Sequence, residues 1–131
     1  MDFIRHAARH STAIPRIATR RIVTPSDGAT TLEMWEQFMP PGGFIPSHYH
    51  ECEEIITIVS GSVRFTLGDD VRQIDAGADG VTTIFIAPRV VHHAENDGTA
   101  EVHLLAVFAE VEPRIFLADG TLVCLPWQTT S

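Results

Sequence analysis

Short apolar runs, each closed within a few residues by a turn signal, leave this chain almost no room for a long helix. Residues 31–39, 54–59, 62–67, 82–86 and 101–108 are rich in Val, Ile, Phe and Thr and read as strands. Pro40-Pro41-Gly42-Gly43, Ser60-Gly61, Gly68-Asp69-Asp70, residues 76–80 and Asn96-Asp97-Gly98 punctuate them as turns. Several strands at regular spacing predict an all-β sandwich or barrel. Residues 101–108 are apolar on both alternating faces, so this strand should be covered on both sides, by the interior on one and by a subunit or the N-terminal segment on the other. In residues 31–39 either Glu36 or Gln37 could line a cavity, and parity alone does not choose. Residues 114–127 read as a short hairpin turning at Asp119-Gly120, after which Trp127 either lids the barrel or packs on a partner.

At 131 residues the chain fits one domain. We divide it into an N-terminal arm or lead-in strand, 1–24, and a single barrel domain, 25–131. It has no lysine, which removes Schiff-base chemistry through a lysine amine. Five of its nine arginines lie in the first 21 residues with one acid, whereas residues 22–131 carry four arginines and sixteen acids. Such a start could be a presequence or an electrostatic arm, and we read it as a basic lead-in strand. A net charge of -8 argues against nucleic acid, whose binding depends on a basic surface. The apolar runs are too short for a membrane span, and no apolar segment at the start reads as a secretory signal. Cys52 and Cys124 have no paired spacing, so a reducing, cytoplasmic location is expected.

One run carries chemistry. His48 and His50 stand at strand spacing, which points both imidazoles to one face, and a carboxylate follows at Glu54. A further histidine downstream, His92 or the adjacent His93, completes a three-His, one-Glu set. Neutral imidazole and carboxylate suit a divalent transition metal such as Fe, Mn, Ni or Zn. Glu54 opens an apolar run, where an inward carboxylate is costly unless it meets an ion. Glu51 and Glu53 are the alternatives, disfavoured by parity. Cys52, between the ligands, could be a ligand or a redox-sensitive thiol but reads best as filler. Tyr49 points away from the ligands, toward packing. Arg64 and Arg89 could grip a substrate carboxylate, although surface ion pairs are the simpler reading. His103 suits packing or an interface, and His6 and His10 a solvated arm.

These residues resemble the cupin superfamily of small jelly-roll barrels. Gly42, His48, His50, Glu54 and Gly61 match its first motif, G-x5-H-x-H-x3,4-E-x6-G, without a gap. The second, G-x5-P-x-G-x2-H-x3-N, is kept at His92 and Asn96, which favours His92 over His93. It is broken at Ala87 and Arg89, which stand where the family has Pro and Gly, and Gly80 falls one residue too far upstream. Asn96 would hold the turn that orients His92. The resemblance implies a metal held by His48, His50, Glu54 and His92, with Glu54 as ligand or base. It also implies an enzyme acting on a small organic molecule, on the pattern of cupin dioxygenases; a homodimer is expected, in which N-terminal strands cross or the apolar outer face of residues 101–108 is buried. The alternatives are a cupin isomerase, decarboxylase or lyase, or a non-catalytic barrel that binds a small ligand or metal.

Overall fold

A computed structural model describes residues 2–13 and 16–127. Its strands are β1 (Ser11–Ala13), β2 (Ala18–Val23), β3 (Glu33–Met39), β4 (Phe44–Tyr49), β5 (Glu54–Ser60), β6 (Ser62–Leu67), β7 (Asp70–Asp75), β8 (Thr82–Ile86), β9 (His92–Glu95), β10 (Val102–Phe108), β11 (Ile115–Leu117) and β12 (Leu122–Val123). The helical segments among the described residues are three or four residues long, and none is long and apolar enough to cross a membrane.

The strands form two six-stranded antiparallel sheets, ordered β1-β2-β3-β10-β5-β8 and β12-β11-β4-β9-β6-β7, as a jelly roll. The all-β expectation holds. Residues 62–67 and 82–86 carry the bounds read from sequence, and the other three runs shift by at most two residues at an end. The arginine-rich start is built into the first sheet, where Arg20 pairs with Glu36 and Arg21 with Trp35 across the β2–β3 ladder.

Alternation sets the layers. On β10, Val102, Leu104, Ala106 and Phe108 are buried between the sheets, and His103, Leu105 and Val107 are half-buried on the outer face. The register Ala106↔Trp35 and Leu104↔Gln37 then turns Trp35 and Gln37 inward and Glu36 outward. Met39, Ile58 and Val63 complete a core in which each aliphatic side chain contributes about 1.5–3 kcal/mol of burial. Crossing from one sheet to the other, β5 turns into β6 at Gly61, whose φ of 91° belongs to the left-handed region. A Cβ there would lie 2.7 Å from the Glu101 carbonyl oxygen, so the last glycine of the motif fills a position no other residue fits.

On the outer face the N-terminal segment does supply part of the cover. His6 Nδ1 lies 3.1 Å from Glu36 Oε2, and His103 Nε2 lies 2.8 Å from the same oxygen. His103 also stacks on Phe38 at 4.5 Å. The expectation of a solvated His6 is therefore corrected: Glu36 is buried against the sheet and draws the imidazole onto it. His10 is exposed, as expected.

Candidate metal centre

Four side chains meet between the sheets at one end of the barrel. His48 comes from β4, His50 from the residue just after it, Glu54 from the first position of β5 and His92 from the first position of β9. Pairing of β4 with β9 places His48 directly opposite His92. All four are buried, and their ligand atoms lie within 4.8 Å of one another. His93 points to the other face, beside Thr66, so the structure favours the histidine that the Asn96 spacing favoured.

Backbone carbonyls orient the imidazoles. His48 Nδ1 is 2.6 Å from the Pro46 oxygen, His50 Nδ1 is 2.9 Å from the Arg114 oxygen, and His92 Nδ1 is 3.1 Å from the Val90 oxygen. A carbonyl can only accept, so each Nδ1 carries the proton and each Nε2 turns a lone pair inward. The inward atoms are then crowded acceptors. His48 Nε2 and His50 Nε2 are 3.2 Å apart, and Glu54 Oε1 lies 3.3 Å from His50 Nε2 and 3.2 Å from His92 Nε2. Glu54 Oε1 and His92 Nε2 are buried with no hydrogen-bond partner.

Such an arrangement needs positive charge at its centre. Ligands about 2.1 Å from an ion, at angles of 90–109°, stand about 3.0–3.4 Å apart, and these separations fall in that range. The cluster therefore fits a divalent metal ion. The electrostatics agree: burial, and then the neighbouring His92 and His50, push His48 down to about 3, which keeps it an unprotonated donor. For Glu54, burial raises the carboxyl; a proton on the facing nitrogen of His50 or His92 would outweigh burial and hold it down to about 2, and a cation between the rings takes that proton's place. The carboxylate is thus ionised when a cation is bound.

A cavity of about 440 Å³ opens onto this cluster. Trp35, Ile56 and Phe108 form its floor from the first sheet, and Ile45, Ile115 and Leu125 wall it from the second sheet and the C-terminal segment. Gln37, not Glu36, reaches it, and the Gln37 Nε2 donates to Thr19 Oγ1 at 3.0 Å. The hairpin expected over residues 114–127 is formed by β11 and β12, with Gly120 at φ 91°. Trp127 packs within its own chain, edge-on to Trp35 at 5.1 Å and under the Arg21 guanidinium at 4.9 Å.

Other candidates lie elsewhere. Arg64 and Arg89 are exposed and paired with Glu95 at 3.9 Å and Glu51 at 3.5 Å, outside the cavity. Tyr49 stacks on Phe116 at 5.3 Å. Cys52 is absent from the cluster; burial, with Glu110 and Glu54 nearby, pushes its thiol up to about 11, so it is neither thiolate nor ligand in kind. Cys124 lines the cavity, which nothing in the sequence foretold. Asn96 holds its turn as expected: its Nδ2 donates to the Met39 and Ala100 oxygens, and its Oδ1 accepts from Gly98 N.

The broken second motif leaves a mark. Arg89 adopts φ 66°, the left-handed conformation that its missing glycine would take without strain, while its N–H donates to the His50 oxygen at 2.7 Å. A left-handed L-residue costs about 1–2 kcal/mol, and glycine gives back less than that through the unfolded chain. The exposed Arg89–Glu51 pair offsets little. Arg89→Gly should therefore raise stability by about 0.5–1 kcal/mol, seen as a higher thermal midpoint; an unchanged or lower midpoint would show that the loop carries no strain.

Comparison with known proteins agrees with this architecture. The chain is 26% identical over 97 residues to auxin-binding protein 1 of Arabidopsis thaliana, an alignment covering 70% of this chain. The chain spans about half the length of that relative, 49% of it. Its fold is similar to the polyketide cyclase RemF of Streptomyces resistomycificus, with a TM-score of 0.75, 21% identity, and 97% and 88% of the two chains covered. It is also similar to a predicted oxalate decarboxylase of Thermotoga maritima, with a TM-score of 0.73, 18% identity, and 84% and 100% covered. The Cupin domain family matches residues 35–108, more than half of the chain and a span that holds His48, His50, Glu54 and His92 together. The chain belongs to the cupin family.

Proposed function

We propose that this protein is a metal-dependent enzyme that acts on a small organic molecule in the manner of a dioxygenase. The observation that carries the reading is the set of inward lone pairs on His48, His50, Glu54 and His92, with no donor among them, facing an apolar cavity. His48, His50, Glu54 and His92 would hold an Fe, Mn, Ni or Zn ion, which would supply Lewis acidity toward a substrate oxygen and, where the metal is redox-active, reactivity with dioxygen.

The chain's own residues do the rest. The carbonyls of Pro46, Val90 and Arg114 fix the three imidazoles so that little reorganises during turnover. Glu54 would hold the ion as an anionic ligand or, acting as the base, take the proton of an enol or of an acidic C–H, leaving an enolate for oxidation by dioxygen. Both oxygen atoms end in the oxidised product, so no external reductant is needed. Ile45, Ile56 and Phe108 exclude water from the reacting centre. Proteins of similar fold are named as a polyketide cyclase, a predicted oxalate decarboxylase and an oxalate oxidase, so the barrel is compatible with redox and non-redox reactions alike.

The test starts with elemental mass spectrometry on protein purified without a histidine tag. About one Fe, Mn, Ni or Zn per chain is expected, followed by oxygen uptake with enolisable substrates. Less than about a tenth of an ion per chain after anaerobic reconstitution would overturn the metal reading. A full ion with no turnover in any substrate class would favour a binding barrel instead.

A further inference from the structure

The walls of the cavity say more about its occupant than the metal cluster does. Apart from His48, His50, Glu54 and His92, the polar side chain lining it among the described residues is Gln37, joined only by the weakly polar thiol of Cys124. No arginine lines it among those residues, and the chain contains no lysine. Gln37 is also partly committed, since one amide hydrogen goes to Thr19 Oγ1.

Three ligand chemistries can be weighed against this wall. A compact dianion such as oxalate can place one end at a metal, but its second charge then needs a cation or several donors, and an unpaired buried charge is costly. A sugar brings several hydroxyl groups, each of which must keep a partner when buried. One amide cannot serve them. An apolar body needs no partner, gains from leaving water, and finds the aromatic surfaces of Trp35 and Phe108, which pack on each other at 4.5 Å.

Register gives the cavity two ends. Gln37 pairs with Leu104, which pairs with Ile58, and Ile58 lies four residues along β5 from Glu54. At the rise of a strand, Gln37 is therefore roughly 13 Å along the barrel from the level of the carboxylate. We infer that this cavity takes an apolar, ring-bearing molecule whose one oxygen-rich end meets the four-residue cluster and whose body lies against the Trp35–Phe108 wall, and that compact dianions and sugars are not its substrates. This rests on the metal-dependent reading for its polar end only; the preference for an apolar body follows from the wall.

The test uses the full chain loaded with Co(II) and three probes that share one bidentate head: tropolone, 4-isopropyltropolone and tropolone-5-sulfonate. Visible absorption of the cobalt reads the head, and quenching of tryptophan fluorescence, through Trp35 in the wall, reads the body. The isopropyl compound should bind about tenfold or more tighter than tropolone, since three further carbons are buried. The sulfonate should bind about tenfold or more weaker, its charge meeting no cation. Equal affinities within about threefold, or a preference for the sulfonate, would overturn the inference. If the protein takes no Co(II), the metal reading fails by itself. The order of the three probes, read by fluorescence on the metal-free chain, then decides the present inference alone.

Discussion

Exchanging His48 and His50 together for alanine should lower bound metal from about one ion per chain to less than about a tenth, while the chain keeps its β fold. Two of four donors vanish, and the remaining Glu54 and His92 cannot enclose an ion between the sheets. The cost to the metal-free fold should be small, because two effects oppose each other. Loss of the rings leaves the Pro46 and Arg114 carbonyls without their partners, at about 1 kcal/mol each. It also removes the 3.2 Å approach of two lone pairs and frees a carboxylate crowded by acceptors. Metal should therefore separate the two proteins more than their absence of metal does. At about a hundredfold excess over its dissociation constant, an ion stabilises the wild-type chain by about 2.7 kcal/mol, and the variant should gain nothing. Elemental analysis and thermal melts with and without metal read both effects. Unchanged stoichiometry in the double variant would place the metal elsewhere.

His92 was told from His93 only by the H-x3-N spacing of the resemblance, but His48, His50 and Glu54 were legible because two constraints coincide on them. Strand alternation requires His48 and His50 to share a face, and burial requires Glu54, at the head of an apolar run, to have a counter-charge. The long strands were legible for the same reason, since each buries one apolar face. What escaped lacks that signature. In β7, Asp70–Asp75, only Ile74 is buried, so an edge strand of exposed polar residues gives no period to read. Strand β4 contains Pro46 and follows two glycines, and β9 is four residues long. The arginine-rich start was read as a lead-in strand, but the bounds of β2 were not, because its cations are held by acids of β3, Arg21 on Glu33 and Arg20 near Glu36, and show no apolar period. The choice between Glu36 and Gln37 needed the β3–β10 register, which no local pattern encodes. The same limit hid the cavity wall: Leu125 and the Arg114 carbonyl, which orients His50 from 64 residues away, are brought in by tertiary folding alone.

Glu33→Ala should be the most damaging single change outside the metal cluster, destabilising the chain by about 3–5 kcal/mol. Glu33 is fully buried and accepts from every side. Arg21 Nε and Nη2 donate to its two oxygens at 3.0 Å each, Trp35 Nε1 donates at 2.6 Å, and Glu112 N donates at 3.0 Å. Alanine would strand all of these donors in a site that water cannot readily reach, and one of them carries a full charge. Measured against the 5–15 kcal/mol that holds a typical domain together, the loss is a large fraction of the whole. Glu33→Gln should cost less but still more than about 1.5 kcal/mol, because one of its two terminal atoms is a donor facing donors. The effect should reach the site as well. Trp35 forms the cavity floor, and Glu112 stands two residues before Arg114, whose carbonyl orients His50. Urea denaturation of the metal-free variants gives the stability, and metal titration below the unfolding transition gives the coupling. A Glu33→Ala loss under about 1 kcal/mol would mean that the arginine escapes to solvent and that the carboxylate is not what ties β2, β3 and the C-terminal wall together.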